Sequence, residues 1–456
     1  MILDGKRVLV VGAGKTGVAV AQFLAGRGAR VTVTDRRTGA ELHGARESLG
    51  DSVQWELGKH MQRSFLDAEL IVVSPGVPLL PEIAAAQKKG VPVTGEIELA
   101  SRFIDAPIVG VTGTNGKSTV TALTGEIARQ TGRATFVGGN LGTPLVTCVG
   151  TPAASKDGLV VVELSSFQLE TVDEFRPRAG ALLNLTPDHL DRYASLDDYG
   201  AAKLRLARRM GNGDVLVVNA DDEWCARAVE PLRAQVSIAL FSTRRRDPWL
   251  RAFVDGGDLV YPLEGGVERY PIAELNIIGR HNLSNALAAL LMMRDSGLAT
   301  YAQVRAGLRA FQPLPHRMQL VGEKRGVRFY DDSKATNVDS VVAGVDGFPT
   351  PFVLIAGGRD KGGSYAPMVA ALQNNSCRAV LLIGEAADQI AAALTAAGER
   401  PPHERAATLE AAVARAAALT RPGDSVVLSP ACSSYDMFQN YEHRGLAFRA
   451  AVEALP

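Results

Sequence analysis

The sequence is short of the residues that build extracellular or metal-clustered frameworks. Four cysteines occur in 456 residues, at Cys148, Cys225, Cys377 and Cys432, and none falls in a C-x-x-C pair. That spacing argues against a disulfide framework or a zinc site, and for free thiols in a reducing compartment. Neither sign of charge is in excess: Lys plus Arg and Asp plus Glu both number 49. A balanced chain lacks the basic field that nucleic acid or an anionic membrane surface calls for. No apolar stretch approaches the roughly 18 residues of a membrane span. The opening MILDGKRVLVVGAG lacks the h-region of a signal peptide, because glycine ends its apolar run early. Low-complexity tracts and short-period repeats are missing too. These absences leave a soluble, cytoplasmic, globular protein as the expectation.

What is present is glycine in patterned places. Residues 10–20 read VVGAGKTGVAV, with Gly12, Gly14 and Gly17 in the spacing G-x-G-x-x-G between an apolar strand and a helix. Asp35 closes the next apolar run, VTVTD, where an acid meets a ribose hydroxyl in dinucleotide-binding folds. Alone, this segment points to a nicotinamide dehydrogenase. The fingerprint is weak by itself, because glycines serve tight turns in any fold of this kind. No further dehydrogenase constellation accompanies it.

A second glycine loop carries more weight. Gly113-Thr114-Asn115-Gly116-Lys117-Ser118-Thr119 follows the apolar strand IVGV and opens a helix. Backbone N–H groups there can cradle phosphates at the positive end of the helix dipole. Lys117 suits the β- and γ-phosphates, and a hydroxyl of Ser118 or Thr119 suits Mg²⁺. The strict pattern G-x-x-x-x-G-K-[ST] places glycine at 111, where this chain has Val111, so the loop is a variant. Its plain alternative is an ordinary glycine-rich turn.

The length suggests about three domains at roughly 150 residues each. Strand-like runs alternate with helix-like runs almost throughout, the pattern of α/β domains with mostly parallel sheets. We place the divisions at 1–95, 96–312 and 313–456, with the proline-bearing segment FQPLPHRMQ as the second linker. Glu163 follows the apolar run LVVV, so it emerges at a strand's C-terminal end, where such sheets bind ligands. Its alternative is a helix-capping acid. His189 falls in a polar loop, TPDHLDRY. Lys203 falls on a basic amphipathic helix, AAKLRLARR, where periodicity alone gives a solvated face.

Together these segments resemble one family along the whole chain: the ATP-dependent Mur amino-acid ligases of bacterial cell-wall precursor synthesis. GTNGKST, ELSSFQLE, NLTPDHLDRY, AAKLR, GRHNLSNALAA and PHRMQ follow in the family's order. Further marks are SPG at 74–76, GGNLGTPL at 138–145, DDSKATN at 331–337, AGGRDKGG at 356–363 and SPACSSYDMF at 429–438.

The resemblance implies three domains. A Rossmann-like N-terminal domain holds a UDP-sugar rather than a nicotinamide cofactor, a central P-loop ATPase-type domain binds the mononucleotide, and a C-terminal Rossmann-like domain closes over ATP. It implies an amide-forming reaction through an acyl phosphate. The substrates are ATP, UDP-N-acetylmuramoyl-L-alanine and D-glutamate, with two Mg²⁺ ions and no protein or nucleic-acid partner for a monomer. Gly14, Lys15, Thr16, Asp35, Arg36, Arg37, Ser74, Gly76 and Asn140 would meet the sugar nucleotide. Gly113 through Thr119, Asn282, Asn285, Arg317, Asp332 and Lys334 would meet ATP. Ser118, Glu163, His189 and Lys203, the last carbamylated, would support the metal, with Lys117, His189 and Lys203 as the catalytic set. Thr336, Lys361, Ser434 and Tyr441 would hold the incoming glutamate. The chain departs from the family pattern at Arg36, where a small hydroxyl residue is usual, and at Tyr441, where phenylalanine is.

Two rival classes remain beside this one. A dehydrogenase with a regulatory ATP domain leaves GTNGKST unexplained. A non-catalytic nucleotide switch turns ATP over slowly whatever amino acid is supplied.

Overall fold

The computed structural model describes every residue except Leu79, Leu141, Leu190, Asp191, Lys361 and Glu399. The chain divides into two compact units, Met1–Tyr270 with Ala286–Leu308, and Pro271–Asn285 with Arg309–Pro456. The strands of the described residues form three sheets, of five, nine and six strands.

The five-stranded sheet runs in the order Gln54–Leu57, Arg30–Asp35, Arg7–Val11, Leu70–Val73, Val93–Gly95, all parallel. The runs VLVV and LIV are buried, as parallel strands covered on both faces must be. Strand order reverses between Arg7–Val11 and Leu70–Val73, which opens a crevice at their C-terminal ends. The loops beginning at Gly12 and Ser74 meet there. Gly12 adopts φ +96°, and a Cβ at Gly17 would fall 1.8 Å from the Gly12 carbonyl oxygen. The spacing of these glycines thus reflects a close approach between the helix Lys15–Ala25 and the loop before it.

In the nine-stranded sheet, Ile108–Thr112 lies between Ala179–Leu182 and Leu159–Glu163, with Thr135–Gly139 beyond, all parallel. Glu163 pairs with both Val111 and Gly139, and Thr112 pairs with Leu182. The four loops that follow these strands therefore start at one level. Leu159 through Glu163 are all buried, the near-continuous apolar run of a central parallel strand.

The six-stranded sheet belongs to the second unit. Its order is Gln319–Lys324, Val327–Asp331, Ser425–Leu428, Phe352–Gly357, Cys377–Ile383, His403–Arg405, parallel apart from the antiparallel edge strand Gln319–Lys324. Leu428 pairs with Asp331 on one side and Ile355 on the other, so three loops leave side by side. Among the described residues, no helix is long and apolar enough to cross a membrane.

Candidate active site

A cavity of about 520 Å³ opens at the switch point of the first sheet, a size typical of small-molecule sites. Gly14, Lys15, Thr16, Asp35, Arg36, Arg37, Ser74 and Gly76 line it, and Asn140 reaches it from the second sheet. The structure thus brings together the residues expected to meet the sugar nucleotide.

Asp35 is anchored by the protein itself. Its Oδ2 accepts the Ala13 N–H at 2.7 Å and Arg37 Nη2 at 2.8 Å, and its Oδ1 accepts the Arg37 N–H and Arg37 Nε. Burial alone would raise this carboxyl, but the Arg37 and Ala13 hydrogen bonds outweigh it and hold it at about 2. Four donors occupy the roughly four lone-pair sites of the carboxylate, which removes the ribose contact of the dehydrogenase reading.

The phosphate loop is held from behind. Gly113 adopts φ +150° and Gly116 φ +84°. The Asn184 side-chain oxygen accepts the N–H groups of Thr114 and Asn115 at 3.1 and 2.8 Å, and its amide returns a bond to the Asn115 carbonyl. Gly116 is the N-cap of the helix Lys117–Arg129 and offers no capping side chain. The N-terminal end of that helix therefore presents its dipole to an anion. Lys117 Nζ donates to the Gly113 and Thr114 carbonyls at 3.0 and 2.7 Å, folded back over the loop.

Glu163 is 2% exposed. Its Oε1 accepts Asn140 Nδ2 at 2.7 Å, and its Oε2 is buried with no hydrogen-bond partner among the described residues. A buried carboxyl oxygen without a donor leaves room for a cation as its partner. Among the described residues, no cluster of three or more His, Cys, Asp or Glu forms a self-sufficient metal cage. One carboxylate at the end of the strand paired with the one that leads into the phosphate loop instead fits Mg²⁺, which keeps waters and substrate phosphates in its shell.

Lys203 corrects the expectation from periodicity: it is 1% exposed, not part of a solvated face. The helix Leu196–Leu204 ends before the basic run. Arg205 and Arg209 turn to the carbonyls of Leu169, Val172 and Asp173, while Lys203 points inward and donates to the Gly113 carbonyl at 2.8 Å. Burial, then the charge of Lys117, push its amine well below the ordinary lysine range. His189 sits at φ +54°, outside the regions most residues favour. Its ring packs 4.8 Å from Phe167 and 6.0 Å from Tyr199.

In the second unit, Asp332 is buried. Its Oδ2 accepts Ser429 Oγ at 2.8 Å and its Oδ1 accepts the Met318 N–H at 3.2 Å. Burial pushes its carboxyl up to about 7, against these bonds and the Arg317 charge. Asn285 Nδ2 donates to Asn282 Oδ1, and Asn282 Nδ2 to the Ile278 carbonyl. Lys334 Nζ lies 5.1 Å from the centre of the Tyr441 ring. Ser434 is 2% exposed, and the Thr336 N–H donates to the Lys334 carbonyl. Lys361 lies outside the described residues.

Sequence reading passed over several of these contributors. Asn184 directly follows a buried run, as Glu163 does, and that placement was the available signal. Tyr199 is four residues before Lys203 on one helix face, and the Lys203 ammonium lies 4.2 Å from its ring centre. His60 lines the cavity with Nδ1 2.9 Å from Thr34 Oγ1; nothing local in GKH marks it.

A ligand-sized crevice on one sheet, a phosphate loop on the next and a buried carboxylate held by a cavity residue define a nucleotide-dependent group-transfer enzyme. Family models locate it further. The Mur ligase MurD-like N-terminal domain matches residues 6–95, the Mur ligase middle domain 111–293, and the Mur ligase glutamate ligase domain 316–432. The chain belongs to the Mur ligase family, ATP-dependent enzymes that form amide bonds. A UDP-N-acetylmuramoylalanine--D-glutamate ligase of Geotalea uraniireducens (strain Rf4) is 47% identical over 461 residues, covering 100% of this chain and 99% of that protein. Its counterpart from Anaeromyxobacter dehalogenans (strain 2CP-C) is 50% identical, covering 98% and 97%. Among solved structures, UDP-N-acetylmuramate-alanine ligase MurC of Thermotoga maritima superposes with a TM-score of 0.60 at 19% identity, covering 98% of this chain and 99% of that one. MurF of Acinetobacter baumannii superposes at 0.61 and 16%, covering 99% and 91%. These two share the fold.

Proposed function

We propose that the protein joins D-glutamate to the alanyl carboxyl of UDP-N-acetylmuramoyl-L-alanine with cleavage of ATP, in peptidoglycan precursor synthesis in the cytoplasm. The observation that carries this reading is Asn140, which lines the cavity and also holds Glu163. A sugar nucleotide in the cavity thereby brings its far end toward the carboxylate of the phosphate-loop sheet. In this reading residues 1–95 hold the UDP moiety, 96–312 hold ATP and 313–456 hold glutamate.

The alanyl carboxylate oxygen attacks the γ-phosphorus and ADP leaves. The glutamate amine then attacks the acyl phosphate carbon, losing its proton as phosphate departs. The first step joins two anions, so cationic groups must neutralise them. Lys117 and the amides of its helix serve that role. Bound Mg²⁺ supplies further charge neutralisation on the phosphoryl oxygens; we assign two ions, with Ser118, Glu163, His189 and carbamylated Lys203 as their ligands. A depressed lysine pKa suits the carbamate, because only the neutral amine adds to carbon dioxide. Arg317, Asp332, Lys334, Asn282 and Asn285 contact ATP, and Thr336, Lys361, Ser434 and Tyr441 contact glutamate.

Phosphate release measured with ATP, Mg²⁺ and UDP-N-acetylmuramoyl-L-alanine tests this, with D-glutamate, L-glutamate, L-alanine or diaminopimelate supplied separately. Turnover with D-glutamate alone is expected. Turnover with L-glutamate instead would overturn the stereochemistry, and NADH binding without turnover would overturn the whole reading.

A further inference from the structure

Among the described residues Arg444 is the largest side chain buried almost completely, at 1% exposure. It lies three residues after Tyr441 on the helix Tyr441–Glu453, so the two side chains share a face. Among the described residues its guanidinium donates to uncharged oxygens, while the Asp436 and Asp331 carboxylates act on it through space. Nε donates to Ser333 Oγ at 3.0 Å and Nη2 to the Ser333 carbonyl at 2.9 Å. Nη2 also donates to the Cys432 carbonyl at 3.1 Å, and Nη1 to the Ser433 carbonyl at 3.4 Å. Ser333 Oγ donates onward to the Tyr441 carbonyl at 2.8 Å.

These bonds tie together loops that leave neighbouring strands. Ser333 follows Val327–Asp331, and Cys432 and Ser433 follow Ser425–Leu428. The loop after Phe352–Gly357 joins them: Arg359 and Ser433 exchange backbone bonds at 2.9 and 3.1 Å. A Cβ on Gly358 would fall 2.3 Å from the Ser433 carbonyl and 3.1 Å from Arg444 Nη1. A buried cation is unfavourable unless its donors are well satisfied. A forked, rigid guanidinium bridging two loops at once does what no apolar residue there could.

We propose that Arg444 is a positioning residue for the amino-acid pocket. Its guanidinium fixes the spacing between the segment bearing Thr336, the segment bearing Ser434 and the helix bearing Tyr441. This rests on the reading that those three residues hold glutamate. Lysine at 444 keeps the charge but cannot bridge Ser333, Cys432 and Ser433 together.

The test is steady-state kinetics on the full chain, wild type against Arg444→Lys, with KM measured separately for D-glutamate and for the sugar nucleotide. The KM for D-glutamate is expected to rise roughly tenfold or more, as misplacement of binding groups by a fraction of an ångström does. The KM for the sugar nucleotide, whose cavity belongs to the first unit, is expected to stay unchanged. A merely destabilised protein loses active fraction, which lowers apparent kcat and leaves both KM values alone; that result overturns the proposal. Should Arg444→Lys not fold, Ser333→Ala decides. It removes the hydroxyl between Arg444 and Tyr441, and an unaltered D-glutamate KM in that variant overturns the proposal. Absence of D-glutamate turnover in the wild type fails the functional reading itself and takes the inference with it. Wild-type turnover with an unmoved glutamate KM fails the inference alone.

Discussion

Lys203 and Lys117 share one acceptor: both ammonium groups donate to the Gly113 carbonyl, at 2.8 and 3.0 Å. Burial first, and then the like charge of Lys117, push the Lys203 amine well below the ordinary lysine range. In the proposed carbamylated form this side chain would carry a carboxylate-like charge and give the cation-rich loop a counter-charge. Lys203→Ala is expected to reduce phosphate release by ~100-fold or more, the scale of losing one preorganised charge. Formate or acetate at millimolar concentration is expected to restore part of it. Full activity of the variant would remove Lys203 from the metal support.

Asn140 lines the cavity and holds Glu163 of the phosphate-loop sheet twice, its side chain donating to the Glu163 carboxylate and its backbone N–H to the Glu163 carbonyl. Residues that orient a metal-holding carboxylate tune affinity without touching the ion. Asn140→Ala is expected to raise the Mg²⁺ concentration for half-maximal activity by ~10-fold and to raise the KM for the sugar nucleotide as well. A change in one without the other would separate the two roles assigned to this side chain. An unchanged magnesium requirement would remove the link to Glu163.

The strands, the two glycine loops and the exit of Glu163 from its strand were legible in the sequence, because each rests on local signals. Apolar runs announce parallel strands, and glycine at fixed spacing announces a turn that must pass close to a helix. Lys203 was named by the resemblance, but its burial was not legible in the local pattern. A lysine followed by Arg205, Arg208 and Arg209 reads as a charged face, and only the fold, through the carbonyls that receive Arg205 and Arg209, separates the buried cation from its neighbours. Arg444, inside YEHRGLAFRA, reads as helix surface for the same reason. Burial of a charge depends on which loops arrive from elsewhere in the chain, and no periodicity carries that information. The Asp35 pattern was legible as a nucleotide signal. Its occupation by Ala13 and Arg37 was not, since those bonds depend on how the first loop folds back.

Asp35 acts on the cavity through the groups it anchors. Asp35→Asn keeps the size but weakens the paired contact with Arg37 and the bond to the Ala13 N–H. Hydrogen bonds to a charged group are worth about 1.5–3 kcal/mol, so the KM for the sugar nucleotide is expected to rise by roughly tenfold or more, with the KM for ATP unchanged. The native carboxyl sits at about 2, below its ordinary 3.8. Its contribution is therefore complete above pH 4 and fades only as pH falls from there toward 2. The wild-type and Asp35→Asn difference in KM should accordingly be flat from pH 6 to 9. A difference that varies across that range would assign the effect to another group.

Glu96 provides the opposite sign. It is 2% exposed; its Oε1 accepts the Val146 N–H at 2.6 Å, and its Oε2 has no partner among the described residues. Burial pushes its carboxyl from 4.5 up to about 7, against the backbone bonds from Val146 and Leu145. Between those values the unfolded chain has released this proton and the folded chain has kept it. Stability therefore falls as pH rises, by ~1.4 kcal/mol per pH unit, and levels above 7. Glu96→Gln cannot ionise and should lack that decline. Trp55, Trp224 and Trp249, the three tryptophans of the chain, all lie in the first unit with Glu96, so tryptophan fluorescence during urea unfolding follows that unit. Relative to Glu96→Gln, the wild type is expected to lose about 2 kcal/mol between pH 5.5 and 8. Other carboxylates titrate alike in both proteins, and the difference isolates this one. Parallel pH curves for the two would mean that Glu96 is already ionised in the folded state at pH 5.5, with a donor reaching its second oxygen.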